Sequence, residues 1–287
     1  MLLFALVRAV HLASLMILTG AGAFAWLAKT RLRIELALPR SLPIACGALA
    51  LATAILLVGF AAGEMTGTGF AVAAMGRVLA GTLYGHVAVL RMALLAATLL
   101  FAAARPRASD IAGAVGGGIA LTLLGLTSHA AAGGAPQFAL LRAGVDAAHL
   151  LTAGLWTGGL VALLVAVFGE AGDTQRHIAL LRLFSRWGVG SVAILAVAGT
   201  INALAILDVP GMRWSLAYVS LLAAKLVLAA VMVALALTNR FGVLPGLARG
   251  EREAVETLPL TLSAELAGAI LIVVIVGFLG LTAPMQM

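Results

Sequence analysis

FALLRAGVDAAHLLTAGLWTGGLVALLVAVF, residues 138–168, decides the fold. Its 31 residues carry two charges, Arg142 and Asp146, and one histidine, His149. A helix needs roughly 20 apolar residues to cross about 30 Å of hydrocarbon. A membrane-barrel strand needs about 10 residues of alternating polarity. The stretch fits the first description only. Seven similar stretches accompany it, at 3–27, 42–62, 83–104, 111–131, 187–207, 214–238 and 260–283. They predict an all-α polytopic membrane protein of eight transmembrane helices, a single integral membrane domain over 1–287. Composition agrees: 63% of residues are hydrophobic and 10% charged, where soluble domains hold about 25% charged residues.

The net charge of +7 is informative through its placement. Four alternate loops hold Lys29, Arg31, Arg33 and Arg40; Arg105 and Arg107; Arg176, Arg182 and Arg186; and Arg240, Arg249 and Arg252. The opposite loops hold Arg77 and Arg213, so the balance is 12 against 2. Cytoplasmic loops carry such an excess, which predicts both termini on the periplasmic side and gives the basic pI a topological cause rather than a nucleic-acid one. The first stretch has no basic segment before it and holds Arg8 and His11, so it reads as a retained helix rather than a cleaved signal. The outward segment 63–81 contains a run from Phe70 to Leu79 suited to lying along the interface. Cys46 is the sole cysteine, which excludes an internal disulfide and a Cys-x-x-Cys site. No ATP-binding loop motif is present, and no catalytic residue set is recognisable, so a binding or transport protein rather than an enzyme is expected.

Charge inside hydrocarbon costs at least about 2.5 kcal/mol per group, so every such group requires a reason. Arg8, Arg91, Arg142 and Lys225 lie within spans, with Asp146 and Glu265 as the acidic groups available to them. Four of the five histidines also lie within spans: His11, His86, His129 and His149. Each falls in the outer half of the membrane, on a different helix. A lone buried histidine is usually a packing residue, but four at similar depth suggest ligation, since neutral imidazole binds metal and can also hold haem. Asp146 stands three positions before His149, where a carboxylate can accept the second ring N–H of a ligand histidine. Thr152 and Trp156 continue that face. Tyr218, Lys225 and Met232 form a stripe at spacing seven, which packing explains equally well. Met16 is five positions from His11, too far round the helix to share its face cleanly. The other methionines do not form a dense thioether filter.

In order along the chain stand Arg8-Ala-Val-His11, Thr82-Leu-Tyr84-Gly85 with Arg91, and Thr127-Ser-His129-Ala. Asp146-Ala-Ala-His149-Leu, Gly154-Leu-Trp156-Thr-Gly158-Gly159-Leu, Phe184-Ser185 and Gly199-Thr-Ile-Asn202-Ala follow. Lys225, Asn239-Arg240 with Pro245, and Glu265 complete the set. In this order and spacing the chain resembles the bacterial copper resistance protein D family, over nearly its whole length. The resemblance implies copper handling in the inner membrane, beside a periplasmic copper-binding protein of the copper resistance C type; no such domain is expected to be fused here. It implies His11, His129 and His149 as copper ligands, with His86 as a further candidate. Asp146, Arg8, Arg91, Arg142, Tyr84, Trp156, Lys225 and Glu265 are then supporting or ion-path residues.

Two other functions fit the same residues. Histidines from facing helices can ligate haem b, with Arg8 or Arg142 on the propionates, in an electron-transfer protein. A membrane partner that receives copper without moving it would carry the same ligands.

Overall fold

The computed structural model describes residues 1–127, 136–169, 173–207 and 215–283. The described residues are almost entirely helical and contain no strand. Eight helices among them are long and apolar enough to cross a membrane. Their apolar residues lie on all sides rather than along one stripe, because lipid and neighbouring helices are both apolar surroundings.

The helix α1 (Leu2–Leu27) is the axis of the bundle. It is packed by α2 (Ser41–Thr66), α5 (Ser109–Gly125), α6 (Ala139–Gly169) and α10 (Arg252–Leu279). The connector after α2 folds into the short α3 (Met75–Gly81), whose Val78 is buried against Val58, Ala62 and Ala88. That short helix overlaps the run read as interfacial. α4 (Leu83–Ala104) closes this side against α2 and α5. On the other side, α7 (Thr174–Leu207) leans on α6 and α8 (Leu216–Thr238) on α10, while α7 and α8 scarcely touch each other. A π-helical turn, Asn239–Val243, joins α8 to α9 (Leu244–Arg249).

Two contacts fix the axis. A Cβ at Gly158 of α6 would lie 2.7 Å from Gly20 Cα in α1, so only glycine lets these backbones approach as they do. At the end holding both termini, Gly277 of α10 lies against the Ala5 carbonyl, and the Arg8 guanidinium lies against Gly280.

Several helices outrun the apolar stretches that announced them. α7 begins at Thr174, not 187, and α10 at Arg252, not 260. Arg176, Arg182 and Arg186 interrupt a hydropathy count but not a backbone hydrogen-bond ladder. The basic end of the bundle is held by exposed ion pairs, Lys29 with Glu35 at 2.6 Å and Arg252 with Glu256 at 2.7 Å.

Candidate functional site

Because α7 and α8 stand apart, a cavity of about 270 Å³ opens between α1, α6, α7, α8 and α10 in the half of the bundle nearer the termini. α6 contributes Asp146 and His149, one helical turn apart. α7 contributes Gly199 and Asn202; α8 contributes Tyr218 and Lys225, seven positions apart; α1 contributes Arg8 and Met16. Asn202 Nδ2 donates to Asp146 Oδ1 at 3.1 Å, tying α7 to α6 across the cavity wall. Asp146 also acts electrostatically on Lys225. His149 Nδ1 is buried without a hydrogen bond of good geometry, and the ring lies within reach of the Leu195 backbone on α7. Its ring is seated against Gly199, where a Cβ would meet Cε1 at 3.4 Å. The arrangement offers a thioether, an imidazole nitrogen and a carboxylate to one small space, with a tethered ammonium beside the carboxylate.

His11 belongs to a different environment. Its Nδ1 lies 3.0 Å from the Ala50 carbonyl and 2.9 Å from Thr53 Oγ1, both on α2. A carbonyl only accepts, so Nδ1 carries the proton and Nε2 keeps a lone pair. That Nε2 is buried and unpartnered. His11 does not line the cavity that holds His149, since its ring turns to α2, which takes no part in the cavity wall. Arg91 is buried near it and interacts with the Tyr84 hydroxyl. Arg8, seated against Gly280, has its guanidinium 6.0 Å from the Phe4 ring centroid, and Tyr84 and Glu64 act on it electrostatically. His86 is exposed, with Nε2 3.0 Å from the Ala80 carbonyl. Arg142 lies one turn before Asp146 on α6 and is half-buried. His129 lies outside the described residues. Among the described residues no three His, Cys, Asp or Glu side chains are grouped as a metal site requires. The donor set of the cavity is therefore mixed and counts Met16.

The structure adds residues that the sequence did not single out as ligands. Met16 faces the cavity although its spacing from His11 argued against a shared role. The two residues do face different neighbours of α1, His11 toward α2 and Met16 toward the wall that also holds His149. Asn202 was visible only as part of a motif. The Tyr218–Lys225 stripe, indistinguishable from packing in sequence, lines the cavity. Trp156 and Glu265 instead line a second cavity nearer the basic end.

Comparison with known proteins gives two family matches: copper resistance protein D over residues 178–279, and the copper resistance protein D-like N-terminal domain over residues 1–138. Copper resistance protein D of Pseudomonas syringae pv. tomato is 33% identical over 215 residues, covering 70% of this chain and 68% of that protein. The chain belongs to the copper resistance protein D family. A copper resistance protein D fold with eight candidate spans is a multi-pass membrane protein, and membership brings a role in copper resistance. Asp146, His149 and Trp156 fall between the two matched ranges, whereas Arg8 and Met16 fall in the first and Asn202, Tyr218 and Lys225 in the second. No solved structure matches the chain.

Proposed function

We propose that this chain binds copper in the cavity lined by Met16, Asp146 and His149 and carries it across the bacterial inner membrane, in copper homeostasis or resistance and without catalysing a reaction. The observation that carries this reading is the buried imidazole of His149 in a cavity also lined by Met16 and the Asp146 carboxylate. Imidazole and thioether suit copper, and thioether favours Cu(I). The 12-to-2 distribution of basic residues between the two sets of loops puts the termini, and with them this cavity, toward the periplasm. A periplasmic copper-binding protein of the copper resistance C type is the partner that fits such an opening.

Basic residues buried near a cation route require local partners. Glu64 acts on Arg8, and the Tyr84 hydroxyl accepts a hydrogen bond from Arg91. Lys225 is answered by Asp146. In this reading Lys225 holds the carboxylate while no metal is bound and yields it when copper arrives. His11 offers its free Nε2 as a second station, and His129 and His86 remain ligand candidates.

Metal analysis and a visible spectrum on one detergent-purified sample test the proposal, with His149→Ala and His11→Ala alongside. Loss of the ligand imidazole should weaken copper binding by about 10–100-fold or more, since even an outer partner of a ligand is worth that much. Unchanged binding in His149→Ala overturns the site. A Soret band lost in both variants replaces copper with a bis-histidine haem b. Copper binding without uptake into sealed vesicles identifies a receiving partner rather than a transporter.

A further inference from the structure

The second cavity, about 290 Å³, lies between α6, α7, α8 and α10, the same helices that wall the first. On α8 the two cavities are separated by the interval from Lys225 to Val233, and on α10 by that from Glu265 to Ile272. At 1.5 Å per residue those intervals are about 10–12 Å, so the chambers stand one above the other. The partition between them includes Met232, buried, with Sδ 3.4 Å from the Cβ position of Gly268. Met232 continues the Tyr218–Lys225 stripe, so a thioether stands between the two chambers.

The lower chamber is apolar except for a small polar group at its basic end. Glu265 is 1% exposed. Its Oε1 accepts from Asn239 Nδ2 at 2.6 Å, and Asn239 Oδ1 accepts from Thr261 Oγ1 at 2.5 Å. This chain of bonds fixes the amide so that its NH₂ faces the carboxyl group. Asn239 opens the π-helical turn after α8, and the wider turn carries it to the chamber wall. Glu265 Oε2 has no partner, and neither has the buried Trp156 Nε1 on the same chamber. Arg240, the chamber's cationic group, is engaged by Ser185 through its hydroxyl at 2.8 Å and its carbonyl at 3.3 Å. The groups facing Glu265 are thus Trp156 from α6, Ser185 from α7, Asn239 and Arg240 from the π turn, and Thr261 from its own helix. None of them pairs with Oε2. A carboxylate in that position without a counter-ion is costly, and it is relieved by a proton or by a passing cation.

We propose that the lower chamber is a station where the transported cation exchanges with a proton at Glu265. While the chamber is empty, Oε2 bears a proton. A soft monovalent cation arriving over the Met232 thioether takes its place on the carboxylate, and the proton leaves to water at the basic end. One positive charge enters, one leaves, and no electron moves. The cation's identity as copper rests on the function proposed above; the protonation of Glu265 does not.

The test uses the full chain in liposomes, with Ag⁺ as a redox-silent probe for Cu(I). Infrared difference spectra should show the carbonyl stretch of a protonated carboxyl group that disappears as Ag⁺ binds, and a pH indicator should report about one proton released per cation held there. The band should be absent in Glu265→Gln and retained in Glu256→Gln, which alters an exposed carboxylate on the same helix. Met232→Leu, which keeps the volume, should slow the disappearance of the band without removing it. Absence of the band from the unaltered protein, or its persistence when Ag⁺ has bound through His149, overturns the exchange and leaves the upper site standing. A protein that takes up no Ag⁺ at all overturns the upper site, and the coupling with it, while the pH titration of the band still decides whether Glu265 carries a proton.

Discussion

The two sides of α1 are built on opposite rules. Toward α6 and α5, glycines bring backbones into contact: Gly20 meets Gly158, and Gly22 meets the backbone at Asp110. Little space is left there. Toward α7 and α8, the helices lean on different partners and leave a gap, and both cavities open in it. The polar residues divide accordingly. On the close-packed side His11 and Thr53 bond to a neighbouring backbone and to each other, and the atom left over, His11 Nε2, borders neither cavity. On the open side the unpartnered Trp156 Nε1 and Glu265 Oε2 belong to residues that line a cavity. Close glycine contacts thus make the scaffold, and the sparse packing of α7 against α8 makes room for chemistry.

The comparison is broken most severely at its tight side. Gly158→Leu would force α6 off α1, and overpacking at a backbone contact should cost about 3 kcal/mol or more. The expected outcome is loss of the monodisperse peak in detergent size exclusion; a normal peak would mean that the axis tolerates separation. On the open side the expected effects concern binding rather than folding. Lys225→Gln removes the ammonium that competes for Asp146, so copper should bind about tenfold more tightly, equivalent to about 1.4 kcal/mol. Weaker binding by titration would show that Lys225 supports the site instead. Thr53→Val deletes a hydroxyl beside His11 and should lower stability by about 1 kcal/mol in denaturant unfolding, with copper affinity at the His149 cavity unchanged.

The smallest effect lies at the basic end. The exposed Lys29 ammonium holds Glu35 below the usual carboxylate range. A carboxyl group whose folded value is depressed contributes stability above its unfolded value and loses it as pH falls through the folded one. Glu35→Gln should therefore flatten a slight decline in stability on acidification, and salt should mask the difference because the pair is solvated. A large change would show that this loop bears more of the fold than its exposure implies.

How much of this was legible in the chain follows from the same contrast. The eight spans were legible because hydrocarbon imposes one demand, an apolar run of sufficient length, whatever the neighbours. The helix ends were not, since Arg176 or Arg182 can extend a helix into water without altering the run that crosses lipid. The Asp146–His149 pair was legible because both residues lie on one helix, a turn apart. That Met16 and His11 take different faces of α1 was legible too, but which neighbour each face meets was not. An axis helix packed on several sides has no amphipathic stripe to reveal which neighbour each residue meets. Glu265 could be read as buried, but its bond to Asn239 depends on a π turn that composition does not announce.

The pairing of α1 with α10 also sets a timetable. α1 gains α10 as a neighbour only after six intervening spans have been made, and there Ala5 meets Gly277 and Arg8 meets Gly280. Until α10 is made, Arg8 lacks that seat and the axis of the bundle has one flank bare. A chain cut short after α8 would keep seven of these spans and still display an unfinished axis helix.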